Sequence, residues 1–373
     1  RMFPGMEFLD VGGGLGVDYD GSRTNFESSM NYTTDQYAGD VVWEIRTACD
    51  EANVPHPNII SESGRALTAH HAVLVTEVMD VAEVPEPPTQ LETAPSKNPK
   101  IVELQNLYRD LNLKNCHETF SDALALRDEL LQGFIQGNFS LEERAYGERS
   151  LRYLFNRIST LRSKLKHVPE DFTILDGMLK DTYFCNFSVF QSILDHWAIE
   201  QLFPIMPIHR LHTEPSRRAV IADLTCDSDG KIDKFIDLQG VERHIDLHPY
   251  RSDQPYYIGI FLVGAYQECL GNLHNLFGDT NAVHVDVDES GLPRIASIVE
   301  GDTIKEVLGY VQYSADDLLS GINNLIDNAL RNGTMSAEES AKFMQRYKES
   351  LSGYTYLLWE SPGNSSQQTA AES

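Results

Sequence analysis

The spacing of apolar residues changes several times along this chain, and each change marks a different kind of element. Phe8 to Val11 read as the end of a buried strand. From Asp35 to Ala52 the apolar positions fall at Tyr37, Val41, Val42, Ile45 and Ala48, the spacing of one helical face. Asn58 to Glu62 predicts a short strand centred on Ile59 and Ile60, and Ala72 to Val78 is another apolar run. Residues 1–80 therefore predict an α/β unit, of the kind that carries its chemistry at the C-terminal ends of its strands.

Residues 81–100 hold Pro85, Pro87, Pro88, Pro95 and Pro99 and predict a linker, since neither a helix nor a central strand accepts that composition. Helical spacing returns over 101–166. Leu104, Leu107, Tyr108 and Leu111 mark one face, Leu124, Leu130, Leu131 and Phe134 a second, and Leu151, Leu154, Phe155, Ile158, Leu161 and Leu165 a third. Charges fill the other faces, as in a small bundle whose stripes form its core. Residues 167–312 read as short strands, with runs over 182–189, 218–225 and 256–262. Residues 313–360 are helical again, with Leu318, Leu319, Ile322, Leu325 and Ile326, then Phe343, Tyr347 and Leu351. Segment 361–373 predicts a disordered tail.

Composition narrows the function. The 373 residues hold 30 Lys and Arg against 56 Asp and Glu, a net charge of −26. Such a surface argues against nucleic acid or an anionic membrane as partner and suits a cationic substrate. Cys49, Cys116, Cys185, Cys226 and Cys269 form an odd set without a CxxC pair, which predicts a reducing, cytoplasmic setting. No apolar run reaches the ~18–20 residues of a membrane span, and no signal peptide is visible.

Four stretches could carry chemistry. Gly12, Gly13 and Gly14 follow the first strand directly, and bare backbone N–H groups after a strand suit a phosphate as well as a tight turn. Val17 stands where a dinucleotide fingerprint wants Gly or Ala, and no Lys-Ser/Thr follows for a Walker A loop. Ser61-Glu62-Ser63-Gly64-Arg65 puts a carboxylate and a guanidinium at a strand end, either a surface ion pair or a phosphate grip beside an acid. Cys226-Asp227-Ser228-Asp229-Gly230 follows another strand. Counted as a calcium loop it places Ile236 at the twelfth position, where a bidentate Glu is needed. The stretch reads as a turn with an inert thiol or as a proton donor beside a cation anchor. Gly264-Ala265-Tyr266 ends the third strand and offers a core tyrosine or a phenol donor. The scattered histidines have no HExxH context, and no metal site is assigned.

Taken in order, Leu9-Asp10-Val11-Gly12-Gly13-Gly14, Ile60-Ser61-Glu62-Ser63-Gly64-Arg65, Thr225-Cys226-Asp227 and Gly264-Ala265-Tyr266 resemble the pyridoxal-phosphate decarboxylases of the alanine-racemase-like fold. The helical segment over 101–166 and the phrase Cys226 to Asp233 are most similar to the arginine branch of that family. The resemblance covers essentially 1–360. It implies an α/β plus β fold: C-terminal strands of a partial (β/α)8 barrel, a helical-bundle insert, a Greek-key-like β domain that completes the site, and a C-terminal helical segment. It implies pyridoxal 5'-phosphate as cofactor, Mg2+ dependence, L-arginine as substrate with agmatine as product in polyamine biosynthesis, and a homodimer or higher oligomer with shared sites. Gly12, Gly13, Gly14, Gly64, Arg65 and Tyr266 would hold the cofactor phosphate, and Glu62 the pyridine nitrogen. Cys226 would return a proton to Cα, Asp227 would take the guanidinium, and Gly16, Asp18 and Tyr19 would face the substrate.

Two departures stand out. Phe187 occupies the place of an Asp that grips the amine in ornithine decarboxylases. The family's cofactor-bearing lysine and its ring-stacking histidine precede the glycine loop, whereas here that loop begins at Gly12, eleven residues after Arg1, and none of Lys97, Lys100, Lys114 or later lysines has the right context. The chain is accordingly expected to start inside its barrel and to be inactive alone. The alternatives are a catalytically dead, regulatory partner and a diaminopimelate decarboxylase.

Overall fold

In the computed structural model the described residues are 5–165, 168–237 and 240–358. The expectations for Arg1–Pro4 and for the tail over 361–373 lie outside them.

The chain opens as a βαβ unit. β1 (Phe8–Asp10) and β2 (Asn58–Ile60) pair in parallel with Leu9 opposite Ile59, and α1 (Thr34–Ala52) connects them. Thr33 and Gln36 form a capping box at the start of α1, and Asn53 ends it in the left-handed region. No α1 side chain is buried, and Phe8, Val42, Trp43 and Ile60 are all exposed. α2 (Gly64–Thr68) follows β2 directly.

β3 (Val73–Ala82) departs from the predicted grouping of residues 1–80. It leaves β1 and β2 and pairs antiparallel with β4 (Asp181–Cys185) and with β11 (Tyr257–Phe261). An apolar run reports burial but not which sheet supplies it. Between β3 and β4 lie α3 (Pro99–Asp110), α4 (Cys116–Ile135), α5 (Leu141–Arg162) and α6 (Thr173–Met178). Asn98 and Ser140 cap α3 and α5. Ile101, Leu104, Tyr108, Leu154, Phe155 and Ile158 share one core, matching the first and third predicted faces. The α4 face is rotated: Phe120, Ala123, Leu126 and Leu130 are buried, whereas Leu131 and Phe134 are exposed.

After β4 come α7 (Val189–Ser192) and α8 (Leu194–Ala198), so the strand predicted over 182–189 ends early. β5 (Ile205–Pro207), β6 (Arg217–Ala222), β7 (Lys231–Ile232), β8 (Phe235–Asp237), β9 (Gly240–Glu242) and β10 (Ile245–Leu247) precede β11. The main sheet has seven strands in the order β10-β6-β4-β3-β11-β5, with β7 on β6. Only β4 and β6 run parallel within it. Tyr183, Phe187, Ile221, Tyr256 and Ile258 lie in its core, which shares no residue with the bundle core. β12 (Ala282–Val287) and β13 (Pro293–Val299) form a separate hairpin. α9 (Ile304–Tyr310), α10 (Ala315–Arg331) and α11 (Ala337–Leu351) end the described chain, and of the predicted α10 stripe Ile326 is buried while Leu325 is exposed.

Ile158 is wholly buried between the bundle helices. Ile158→Ala is expected to cost about 2–5 kcal/mol through lost contacts and a residual cavity, read as a lower urea midpoint for the bundle transition.

Candidate functional site

β1 ends in the glycine loop. Gly12 and Gly14 have φ of +74° and +89°, where a side chain would be strained. The Asp10 carboxylate accepts from Gly12 N–H at 2.7 Å, and the Gly12 carbonyl accepts from Glu62 N–H at 3.0 Å. A Cβ on Gly13 would lie 3.9 Å from Ser63 N, so the ends of β1 and β2 are in contact. Among the described residues the Gly13 and Gly14 N–H groups and the Glu62 carboxylate make no hydrogen bond.

Arg65 organises the next layer. Its Nη1 donates to Tyr19 Oη at 3.0 Å and its Nη2 to Asp195 Oδ2 at 3.1 Å. Its guanidinium carbon lies 5.0 Å from the centre of the Tyr266 ring. Burial alone would lower the Arg65 pKa, but the Tyr19 hydroxyl and the Asp195 carboxylate outweigh it and raise the value above that of a free guanidinium. Asp195, buried on α8, also accepts from Gln267 Nε2 at 2.9 Å, while its N–H donates to Gln267 Oε1 at 3.0 Å.

Tyr266 is brought in by the turn after β11. Gly264 N–H donates to the Ala69 carbonyl at 3.1 Å, and a Cβ on Gly264 would collide with the Thr68 carbonyl and the His71 ring. Tyr266 takes the left-handed region at φ +70°, and its hydroxyl comes within 3.2 Å of where a Gly64 Cβ would be. The triple glycine, Glu62, Gly64, Arg65 and Tyr266 thus meet in one place.

The residues read as facing a substrate diverge. Gly16 N–H donates to Tyr32 Oη at 2.9 Å. Asp18 accepts from Ser29 Oγ at 2.8 Å. Tyr19 is buried, edge-on to Phe203, and supports Arg65 from within the core.

Cys226 and Asp227 occupy the loop between β6 and β7. Buried Asp223 builds that loop: its Oδ2 accepts from Val189 N–H at 2.8 Å, and its Oδ1 from Thr225 N–H at 2.8 Å and Thr225 Oγ1 at 2.7 Å. Cys226 N–H donates to Asn275 Oδ1 at 3.1 Å, and Asp227 Oδ1 accepts from Asp229 N–H at 2.9 Å. Phe187 is buried beneath, its carbonyl accepting from Leu224 N–H at 3.1 Å. Among the described residues no hydrogen bond or ion pair joins Cys226 or Asp227 to the Arg65 cluster, and no lysine hydrogen-bonds to either group. Asp229 also lines a cleft of about 230 Å³ with Trp197, whose indole donates to it at 3.2 Å, but the lysines there are already paired: Lys231 with Asp233 at 3.3 Å and Lys234 with Glu200 at 3.0 Å.

Sequence reading missed Asp195, Gln267 and Asp223. The Asp223 signal was present, an acid closing a strand just before a turn; Asp195 and Gln267 carry no local signal.

No group of three or more potential metal ligands occurs among the described residues, and none of the described helices is long and apolar enough to cross a membrane.

Three family models match in order: the pyridoxal-binding domain of pyridoxal-dependent decarboxylases over residues 3–69, the arginine decarboxylase helical bundle domain over 94–176, and the arginine decarboxylase C-terminal helical extension over 304–357. The chain is 47% identical to the biosynthetic arginine decarboxylase of Rhodopirellula baltica over 96% of its own length and 58% of that protein's. It is 49% identical to that of Gloeobacter violaceus, over 95% of this chain and 56% of that one. The crystal structure of biosynthetic arginine decarboxylase SpeA from Campylobacter jejuni superposes with a TM-score of 0.78 at 29% identity, covering 95% of this chain and 57% of that one. The chain therefore spans somewhat over half the length of these relatives.

Asp195→Asn removes the charge that meets a half-buried guanidinium. The expected loss is roughly 1.5–3 kcal/mol, read by chemical unfolding, with Gln267→Ala producing a smaller loss of the same sign.

Proposed function

The chain belongs to the arginine decarboxylases of the pyridoxal-dependent decarboxylase family, and from that premise we propose that the protein carrying it converts L-arginine to agmatine and CO2. The carrying observation is the convergence of the glycine loop, Glu62, Gly64, Arg65 and Tyr266.

The described residues fit pyridoxal phosphate. Two unsatisfied N–H groups on Gly13 and Gly14, a guanidinium and a phenol at Gly64 are what a phosphate dianion needs. Glu62, with its carboxylate unengaged beside that loop, would hold the proton on the pyridine nitrogen. When bound, the cofactor supplies an electron sink for the pair left as the carboxylate departs from Cα. Asp227 takes the guanidinium and thereby fixes which end of the substrate faces the site. Cys226 returns a proton to Cα, which balances the loss of CO2. Tyr19 belongs to the support of Arg65 in this reading, and Gly16 and Asp18 shape the loop that carries Tyr19.

Cys226 and Asp227 are proposed to serve the site of a second copy, so that a homodimer or higher oligomer holds shared sites. That no hydrogen bond joins either residue to the Arg65 cluster among the described residues supports this. The exposed apolar residues of β1, α1 and β2 support a further element, the rest of a (β/α)8 barrel that would also bring the cofactor-bearing lysine. A cytoplasmic setting is part of the same reading, supported by five free cysteines. Mg2+ has no described ligand cluster behind it and enters no step here.

Arginine and diaminopimelate are to be offered to the pyridoxal-phosphate-loaded protein that carries this chain. Agmatine is the expected product, and Asp227→Ala is expected to raise KM for arginine roughly 10- to 100-fold, the equivalent of one charge-assisted hydrogen bond. Lysine formed from diaminopimelate with no agmatine from arginine would refute the proposal. Arg65→Ala should weaken retention of the cofactor, measured by visible absorbance after dialysis.

A further inference from the structure

The Cys226–Asp227 pair is bracketed by a second pair of consecutive residues, His274 and Asn275. Asn275, in the left-handed region at φ +55°, takes the Cys226 N–H on its side-chain oxygen at 3.1 Å. His274 Nε2 lies 4.0 Å from Asp227 Oδ2. That nitrogen is buried and has no hydrogen-bond partner among the described residues, an expensive condition for a polar atom. Asp227 Oδ1 is occupied by the Asp229 N–H, so Oδ2 is the oxygen left for a ligand. The His274 ring is held from the other side by Phe190, with ring centres 4.7 Å apart.

Resting on the function proposed above, we infer that His274 is a positioning residue for Asp227 and sets recognition of a planar cationic end group. A bare lone pair on Nε2 would repel the facing carboxylate, so Nε2 carries the proton. The present gap is about 1 Å longer than a hydrogen bond. An N–H aimed at Oδ2 from a fixed ring restricts the plane of the carboxylate, and with Oδ1 tied to the turn it leaves one lone-pair direction for a guanidinium N–H. Asn275 fixes the neighbouring Cys226 backbone, so the proton donor and the cation anchor are held by one short segment.

His274→Phe and His274→Gln separate positioning from packing. Phe keeps a ring against Phe190 and loses the N–H; Gln loses the ring and returns a donor near the same place. In the loaded protein that carries this chain, His274→Phe is expected to raise KM for arginine about 10-fold with kcat held within about threefold, and His274→Gln to restore KM to within about threefold of wild type. The opposite order, Phe like wild type and Gln impaired, would overturn the inference. A second measurement is independent of turnover. On the chain itself, long-range 1H–15N NMR correlations of the His274 ring should place its proton on Nε2, and Asp227→Asn should shift that nitrogen's resonance. An Nε2 that carries no proton, or a resonance unmoved by Asp227→Asn, overturns the inference, and this measurement decides the matter should His274→Phe not fold. Failure of the wild-type protein to decarboxylate arginine would instead refute the proposed function and leave the NMR test standing.

Discussion

A guanidinium withdrawn from water must have its charge met, and in this chain Arg65 is met from three directions. Tyr19 approaches from the loop beyond the glycines, Asp195 from α8, and the Tyr266 ring from the turn after β11. One side chain thus ties the two-stranded βαβ unit to the seven-stranded sheet. The rest of the site is a consequence of that tie. Gly64 precedes Arg65 and leaves room for the Tyr266 hydroxyl; Ser63 lies against Gly13; Gln267, one residue beyond Tyr266, closes back on Asp195. Asp195 is acceptable in the interior because both Arg65 and Gln267 donate to it, and Arg65 is acceptable because Asp195 is charged.

Much of this was legible in the sequence because it is local. Three glycines after a strand, an acid and an arginine three residues apart, and a glycine two residues before a tyrosine are patterns within a few positions of one another, and the structure brings them together. The helical faces were legible for the same reason, since Ile158 and Leu154 obey a period that needs no partner to be read. Asp195 and Gln267 were illegible because nothing near them in sequence announces a buried ion pair; their meaning depends on Arg65, which lies far away in the chain. The α4 face is not legible from spacing because several stripes of Leu and Phe wrap that helix, and only contact with α3 and α5 selects Phe120 and Leu126 over Leu131 and Phe134. The neighbours of β3 are not legible in its sequence because its apolar run fits a parallel barrel strand as well as an antiparallel one.

The Cys226–Asp227 loop illustrates how rigidity is assembled beneath an exposed segment. Asp223 gathers three donors from two elements, Gly230 has no room for a side chain against Asp223 and Thr225, and Phe187 fills the space below. The two residues proposed to carry chemistry are thus presented on a turn anchored by the buried Asp223, which lowers the conformational entropy to be lost when a ligand arrives.

β3 and β4 are adjacent antiparallel strands, yet the whole helical bundle lies between them in sequence, with a core of its own. Its stem is clasped where Asp181 accepts from Arg217 Nε at 2.6 Å and from the Val84 N–H at 2.7 Å. In topological terms the bundle is an enlarged hairpin loop. Closing a longer loop costs only about 0.6 kcal/mol per doubling of its length, and a loop that folds on itself costs less still. A change in the length of this module therefore need not disturb the register of the sheet that frames it.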